Sequence, residues 1–139
     1  MTPAGFVLDA SIAVAWAFDD EADQRADAVA ELMIDAFALV PSLWHVELAN
    51  ALAMGLRRGR IDQDGITAFM VSLATFDIRT DMVTPHAGRL AVASADHGLS
   101  AYNVSYLVLA EDRALPLATS DRALAEAAAA AGVSLLTAP

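Results

Sequence analysis

Phe6-Val7-Leu8, Leu39-Val40 and Leu117-Ala118-Thr119 are short apolar runs, and each leads into a stretch with helical spacing. An apolar run without polar alternation is the pattern of a strand buried on both faces, as in a parallel sheet covered by helices. Ile78–Thr80 is a fourth candidate strand and Val133–Leu136 a last one. Between them the pattern predicts helices over Ser11–Phe18, 22–36, His45–Arg58, Asp62–Thr75, Pro85–Ala95, Ser100–Arg113 and Asp121–Ala131. Pro41 stops the second strand, and Gly59, Gly98 and Gly132 follow helix ends. Strands alternating with helices predict an α/β three-layer fold, with a short, mostly parallel central sheet and helices on both faces.

No linker, repeat or composition shift divides the 139 residues, so the expectation is a single domain over 1–139. A chain of this length buries roughly two-thirds of its surface on folding. With 57% hydrophobic residues it has the material for a core. The absence of cysteine excludes disulfides, thiolate metal sites and thiol nucleophiles. All eight basic residues are arginines, which excludes Schiff-base chemistry and a Walker-type phosphate loop. The formal charge of −10 argues against binding nucleic acid by bulk charge. An RNA-handling protein of this composition needs a local arginine patch, bound cations, or both. Asp9 interrupts the first apolar stretch and the first basic residue is Arg25. These features predict a cytoplasmic protein without a leader or a membrane span.

Several polar residues fall where the pattern calls for apolar ones. Glu47 lies on the helical stripe of Trp44, Leu48, Ala51 and Leu52. A carboxylate there either snorkels or pairs with an arginine, or it binds a metal. Asn103 falls on the predicted buried stripe of Leu99, Tyr102, Tyr106, Leu107 and Ala110. It is either a satisfied core asparagine or a ligand. Asp9 and Asp121 each end a strand and open a helix, a position that suits N-capping. The carboxyl edge of a parallel sheet is also where ligands bind. Carboxylates meeting there at 4 Å repel by about 4 kcal/mol per pair at an effective dielectric of 20, unless a cation sits among them. Oxygen donors without thiols suit Mg²⁺ or Mn²⁺. His45, His86 and His97 are too scattered for a metal triad. Arg57, Arg58 and Arg60 form the one basic cluster, either complementing a helix end or contacting phosphate.

Four segments in order resemble the PIN-domain ribonucleases, specifically VapC-type toxins of toxin–antitoxin pairs. They are Val7-Leu8-Asp9-Ala10-Ser11, the stretch from Pro41 to Leu52, Gly98-Leu99-Ser100-Ala101-Tyr102-Asn103, and Leu117 to Leu124. The resemblance implies a PIN-like fold with an acidic Mg²⁺ or Mn²⁺ site, in which Asp9, Glu47 and Asp121 stand where the family has metal-site acids. Ser11 and Thr119 match its supporting hydroxyl residues. Where the family usually carries a further Asp, this chain has Asn103, which implies attenuated catalysis. The implied activity is cleavage of structured RNA, of the tRNA or rRNA class. The implied partners are a small, DNA-binding antitoxin with a basic tail and a second copy in a homodimer. Two other readings stand beside this one. A catalytically weakened PIN domain would act as an antitoxin- or RNA-binding module. A receiver-like phosphoacceptor domain would also gather aspartates at strand ends, but its chemistry wants a lysine.

Overall fold

Residues 4–18, 20 and 23–136 are described by the computed structural model. Four strands, β1 (Gly5–Leu8), β2 (Phe37–Pro41), β3 (Ile78–Asp81) and β4 (Leu117–Ala118), pair in the order β3-β2-β1-β4. Every described ladder is parallel. The buried-strand pattern of Phe6, Val7 and Leu8 is explained by their central position, where all three are fully buried.

Seven helices complete the described fold: α1 (Ala10–Ala17), α2 (Gln24–Leu32), α3 (Leu43–Arg57), α4 (Gln63–Leu73), α5 (Ala87–His97), α6 (Ala101–Arg113) and α7 (Arg122–Ala130). Four of them start on a side-chain cap. Asp23 accepts from Ala26 N at 2.6 Å, Asp62 from Gly65 N at 2.7 Å, Ser100 from Asn103 N at 3.1 Å and Asp121 from Leu124 N at 2.9 Å. Gly98 ends α5 at φ +65°, a left-handed conformation that glycine adopts without steric cost. Helices α2 and α3 pack on α1, while α5 and α7 pack on α6. Helix α6 also runs against β1, β2 and β4. The sheet is thus the middle layer of an α/β sandwich.

The register aligns the carboxyl ends of the strands. Val7 is level with Leu39, Leu8 with Ala118, and Pro41 with Asp81. One residue further along β1, Asp9 N donates to Ala118 O at 2.9 Å. Asp9 therefore emerges level with Pro41 and Thr119. The chain lays β1, β2 and β3 outward in one direction, then returns to add β4 on the other side of β1. That reversal between β1 and β4 is a topological switch point, the place where open α/β sheets form a crevice.

Three sequence expectations need correction. Val133–Leu136 makes only an isolated bridge, Leu135 with Leu117, because β4 itself spans just two residues and offers little edge to extend. The second helix ends at Leu32 rather than 36, since a turn at residues 33–35 intervenes before β2. Pro41 does not stop β2 short but is its last residue, where no further N–H is needed. Within the acidic break of the sequence, Asp19, Glu21 and Ala22 lie outside the described residues. No helix among the described residues is long and apolar enough to cross a membrane.

Candidate active site at the carboxyl edge of the sheet

Asp9 leaves β1 and is 4% exposed, yet its side chain makes no capping bond to α1. Its Oδ2 instead accepts from Ser11 Oγ at 2.6 Å and from Thr119 Oγ1 at 2.7 Å. Both hydroxyls do a second task. Ser11 Oγ accepts from Ser120 N at 3.0 Å, and Thr119 Oγ1 accepts from Asp121 N at 2.9 Å. The end of β1 is thereby tied to the turn after β4.

Asp121 serves two purposes. One oxygen caps α7 through Leu124 N, and the other accepts from Asn103 Nδ2 at 3.2 Å. A carboxylate can only accept, so the amide nitrogen of Asn103 must face it and the amide oxygen remains for another partner. Asn103 reaches this point from the first turn of α6, which Ser100 caps. Three residues on, Tyr106 is fully buried and donates its phenolic hydrogen to Oε1 of Glu47 on α3. Glu47 is neither snorkelling free nor paired with an arginine. The ion pairs of the described residues use Asp20, Asp77, Asp81, Asp112 and Glu126 instead.

Asp121 and Glu47 thus both lie within electrostatic reach of Asp9 and, among the described residues, no cationic side chain is bonded to any of the three. Burial pushes the Asp9 carboxyl above the ordinary aspartate range, and the charge of Asp121 adds to the rise, against the bonds from Ser11 and Thr119. Burial likewise raises Glu47, helped by the charge of Asp9 and opposed by the Tyr106 bond. Burial, the bond to Glu47 and the charges of Asp9 and Glu47 hold Tyr106 far above the usual phenol range, so it stays a donor. Uncompensated, partly buried carboxylates of this kind mark functional sites.

Among the described residues no three His, Asp or Glu side chains stand together as a ready-made metal cage. The donor set nonetheless fits a hard divalent cation in kind: carboxylate oxygens from Asp9, Glu47 and Asp121 and the amide oxygen of Asn103. It brings three carboxylates and one neutral amide.

No family model and no curated protein matches the sequence. Among solved structures the fold is similar to the crystal structure of PAE2754 from Pyrobaculum aerophilum. The match has a TM-score of 0.66 at 26% identity and covers 89% of this chain and 79% of that one. The α/β sandwich is the shared property.

Of the residues singled out in the sequence, Asp9, Ser11, Asn103, Thr119 and Asp121 form one hydrogen-bonded network, while Glu47, bonded to Tyr106, is coupled to it by the charge of Asp9. The arginines do not. Ten residues of α3 separate Glu47 from Arg57, about 15 Å along the helix. Arg57 and Arg58 are exposed, whereas Arg60 bonds Asp20 at 2.7 Å and lies over the Phe18 ring at 4.4 Å. Sequence reasoning missed Tyr106, which reads as core on an apolar stripe, and Ser120, whose hydroxyl donates to Asp23 at 3.2 Å. The signal for Tyr106 was its place three residues after Asn103, on the same helix face.

Proposed function

We propose that this chain is a metal-dependent endoribonuclease of the PIN-like, VapC type. The observation that carries the reading is the buried Asp9 at the carboxyl edge of the sheet within electrostatic reach of Glu47 and Asp121, with no basic side chain among the described residues bonded to any of them. Asp9, Glu47, Asp121 and the Asn103 amide oxygen would hold Mg²⁺ or Mn²⁺. Such an ion supplies charge stabilisation for a phosphodiester and a more acidic water. Ser11 and Thr119 fix the Asp9 carboxylate, and Tyr106 fixes one oxygen of Glu47, leaving the other to act. On this reading the substrate is structured RNA of the tRNA or rRNA class. A basic-tailed antitoxin would bind the acidic crevice, and a second copy would cover apolar surface in a homodimer.

The Asn103 amide favours a second reading. It gives its hydrogen to Asp121 and brings no charge, so the domain would be a weakened nuclease whose task is to bind antitoxin or RNA. One assay separates the two. Cleavage of tRNA is followed in Mn²⁺ for the unaltered chain, Asn103→Asp and Asp9→Asn. The nuclease reading expects Mn²⁺-dependent cleavage by the unaltered chain, a gain of roughly tenfold or more in Asn103→Asp, and none in Asp9→Asn. Cleavage by Asn103→Asp alone supports the weakened module. No cleavage by either protein at saturating Mn²⁺ overturns the nuclease reading.

A further inference from the structure

Each carboxylate at the sheet edge has oxygen atoms that are already engaged. Oδ2 of Asp9 accepts from two hydroxyls, Ser11 at 2.6 Å and Thr119 at 2.7 Å. A carboxylate oxygen has two lone pairs, so both of this one are taken. Neither hydroxyl bonds Oδ1. Oε1 of Glu47 accepts from the phenol of the fully buried Tyr106, which ties that oxygen to the core. Oε2 has no hydrogen-bond partner among the described residues. In Asp121 each oxygen carries one donor, Leu124 N at 2.9 Å on Oδ1 and Asn103 Nδ2 at 3.2 Å on Oδ2.

These donors decide how a carboxylate can meet a cation. Chelation through both oxygens needs an open lone pair on each. Asp9 cannot supply that, and Glu47 could do so only by leaving the direction its phenol sets. Both therefore offer a single oxygen. The restriction is built in, because the donors are themselves anchored. Ser11 Oγ and Thr119 Oγ1 accept from the backbone N–H groups of Ser120 and Asp121, at 3.0 and 2.9 Å. Single oxygens completed by water suit the octahedral shell of Mg²⁺ or Mn²⁺. Ca²⁺ takes about six to eight oxygens and reaches the higher numbers through bidentate carboxylates. Acids free to chelate would favour Ca²⁺, since Mg²⁺ gives up its water reluctantly.

We propose that Tyr106, Ser11 and Thr119 are specificity-determining residues for the cation. By making Glu47 and Asp9 one-oxygen ligands they admit Mg²⁺ or Mn²⁺ and disfavour Ca²⁺. The inference rests on the metal-site reading above and names the side chains that choose the ion.

The test is a competition followed by electron paramagnetic resonance, which reports free Mn²⁺ and needs no cleavage. Mn²⁺ bound to the unaltered chain is displaced with Mg²⁺ or with Ca²⁺. Ca²⁺ is expected to need a concentration roughly tenfold or more above that of Mg²⁺. Tyr106→Phe keeps the ring and releases Oε1 of Glu47, and Ser11→Ala releases one lone pair of Oδ2 of Asp9. Each is expected to narrow the ratio by roughly threefold or more, because Ca²⁺ gains. A purely structural loss would weaken both ions alike and leave the ratio where it was. Equal displacement by the two ions in the unaltered chain would overturn the proposal, whether or not the variants fold. So would a ratio unchanged in both variants. Absence of Mn²⁺ binding to the unaltered chain would overturn the proposal together with the metal site. Failure of the nuclease reading registers separately, as absence of Mn²⁺-dependent cleavage by Asn103→Asp, and the displacement ratio does not depend on that result.

Discussion

The phenol of Tyr106 and the carboxylate of Glu47, 59 residues apart in the chain, share one hydrogen bond that joins α6 to α3 across the edge of the sheet. Replacing Tyr106 by Phe keeps the buried ring and removes the hydroxyl. The expected cost is about 1–3 kcal/mol of stability, because a half-buried carboxylate loses its donor. Urea denaturation measures it, and a change below about 0.5 kcal/mol would mean that water replaces the phenol without loss.

Thr119 is a sharper test of the same network. Its hydroxyl donates to Asp9 and accepts from Asp121 N, so Thr119→Val leaves Asp121 N without that acceptor and takes one of the two hydroxyl donors from Asp9. A loss of about 2–4 kcal/mol is expected. Thr119→Ser should recover most of it. Equal destabilisation of the two variants would mean that the methyl, which Val keeps and Ser loses, matters as much as the hydroxyl.

Stability of the metal-free chain should fall as pH rises through the carboxyl range. Asp9 and Glu47 have raised folded-state pKa values. Their protonated forms contribute stability that is present below the ordinary carboxyl values and lost as pH rises through the raised ones. Asp77 and Asp112 are lowered by Arg79 and Arg89 and run the other way, but both are solvent-screened. In EDTA the urea midpoint is expected to drop as pH rises above the ordinary carboxyl range. Mn²⁺ should shrink that drop. A midpoint that climbs steadily with pH in EDTA would contradict the electrostatics described.

Asn103→Asp should destabilise the metal-free chain while strengthening its hold on Mn²⁺. The amide donor to Asp121 is replaced by a second carboxylate, at an expected cost of about 1–2 kcal/mol. Calorimetric titration should give Mn²⁺ affinity higher by roughly ten- to a hundredfold. A variant more stable than its parent in EDTA would mean that Asp121 is turned away from position 103.

The two exposed arginines and the anchored one should behave differently. Arg57→Ala with Arg58→Ala is expected to lower RNA affinity and flatten its salt dependence, by about one unit of slope for each phosphate no longer neutralised. Arg60→Ala should act on stability instead, since it removes the bond to Asp20 and the stacking on Phe18. An unchanged salt slope in the double variant would leave Arg57 and Arg58 as helix-end charges only.

Much of this architecture is legible in the residues. Phe6-Val7-Leu8 reads as a central strand because burial on both faces removes polar alternation. Asp62, Ser100 and Asp121 read as helix starts because capping is local chemistry. Asp9 also reads as a cap but makes no capping bond to α1, and Ser11 and Thr119 stand out only through the family resemblance. What was not legible depends on partners distant in the chain. Tyr102 and Tyr106 read as one apolar stripe, but Tyr102 is 66% exposed and only Tyr106 turns inward, where Glu47 waits. Asp81 carried no signal at all, since Arg113, which neutralises it, lies 32 residues away. Whether Val133–Leu136 pairs as a strand is decided by the length of β4, which sequence periodicity does not report.

The hydroxyl bonds around Asp9 also fix when the site can exist. Thr119 reaches Asp9 across 110 residues, and Ser120 reaches Ser11 across 109. A chain emerging from the ribosome displays Asp9 and Ser11 together, but Thr119 follows only 110 residues after Asp9. Contacts of such long range form late in folding. The carboxyl edge of the sheet is therefore complete only once β4 and the turn after it are in place, and a product truncated before β4 would hold Asp9 by Ser11 alone, without Thr119.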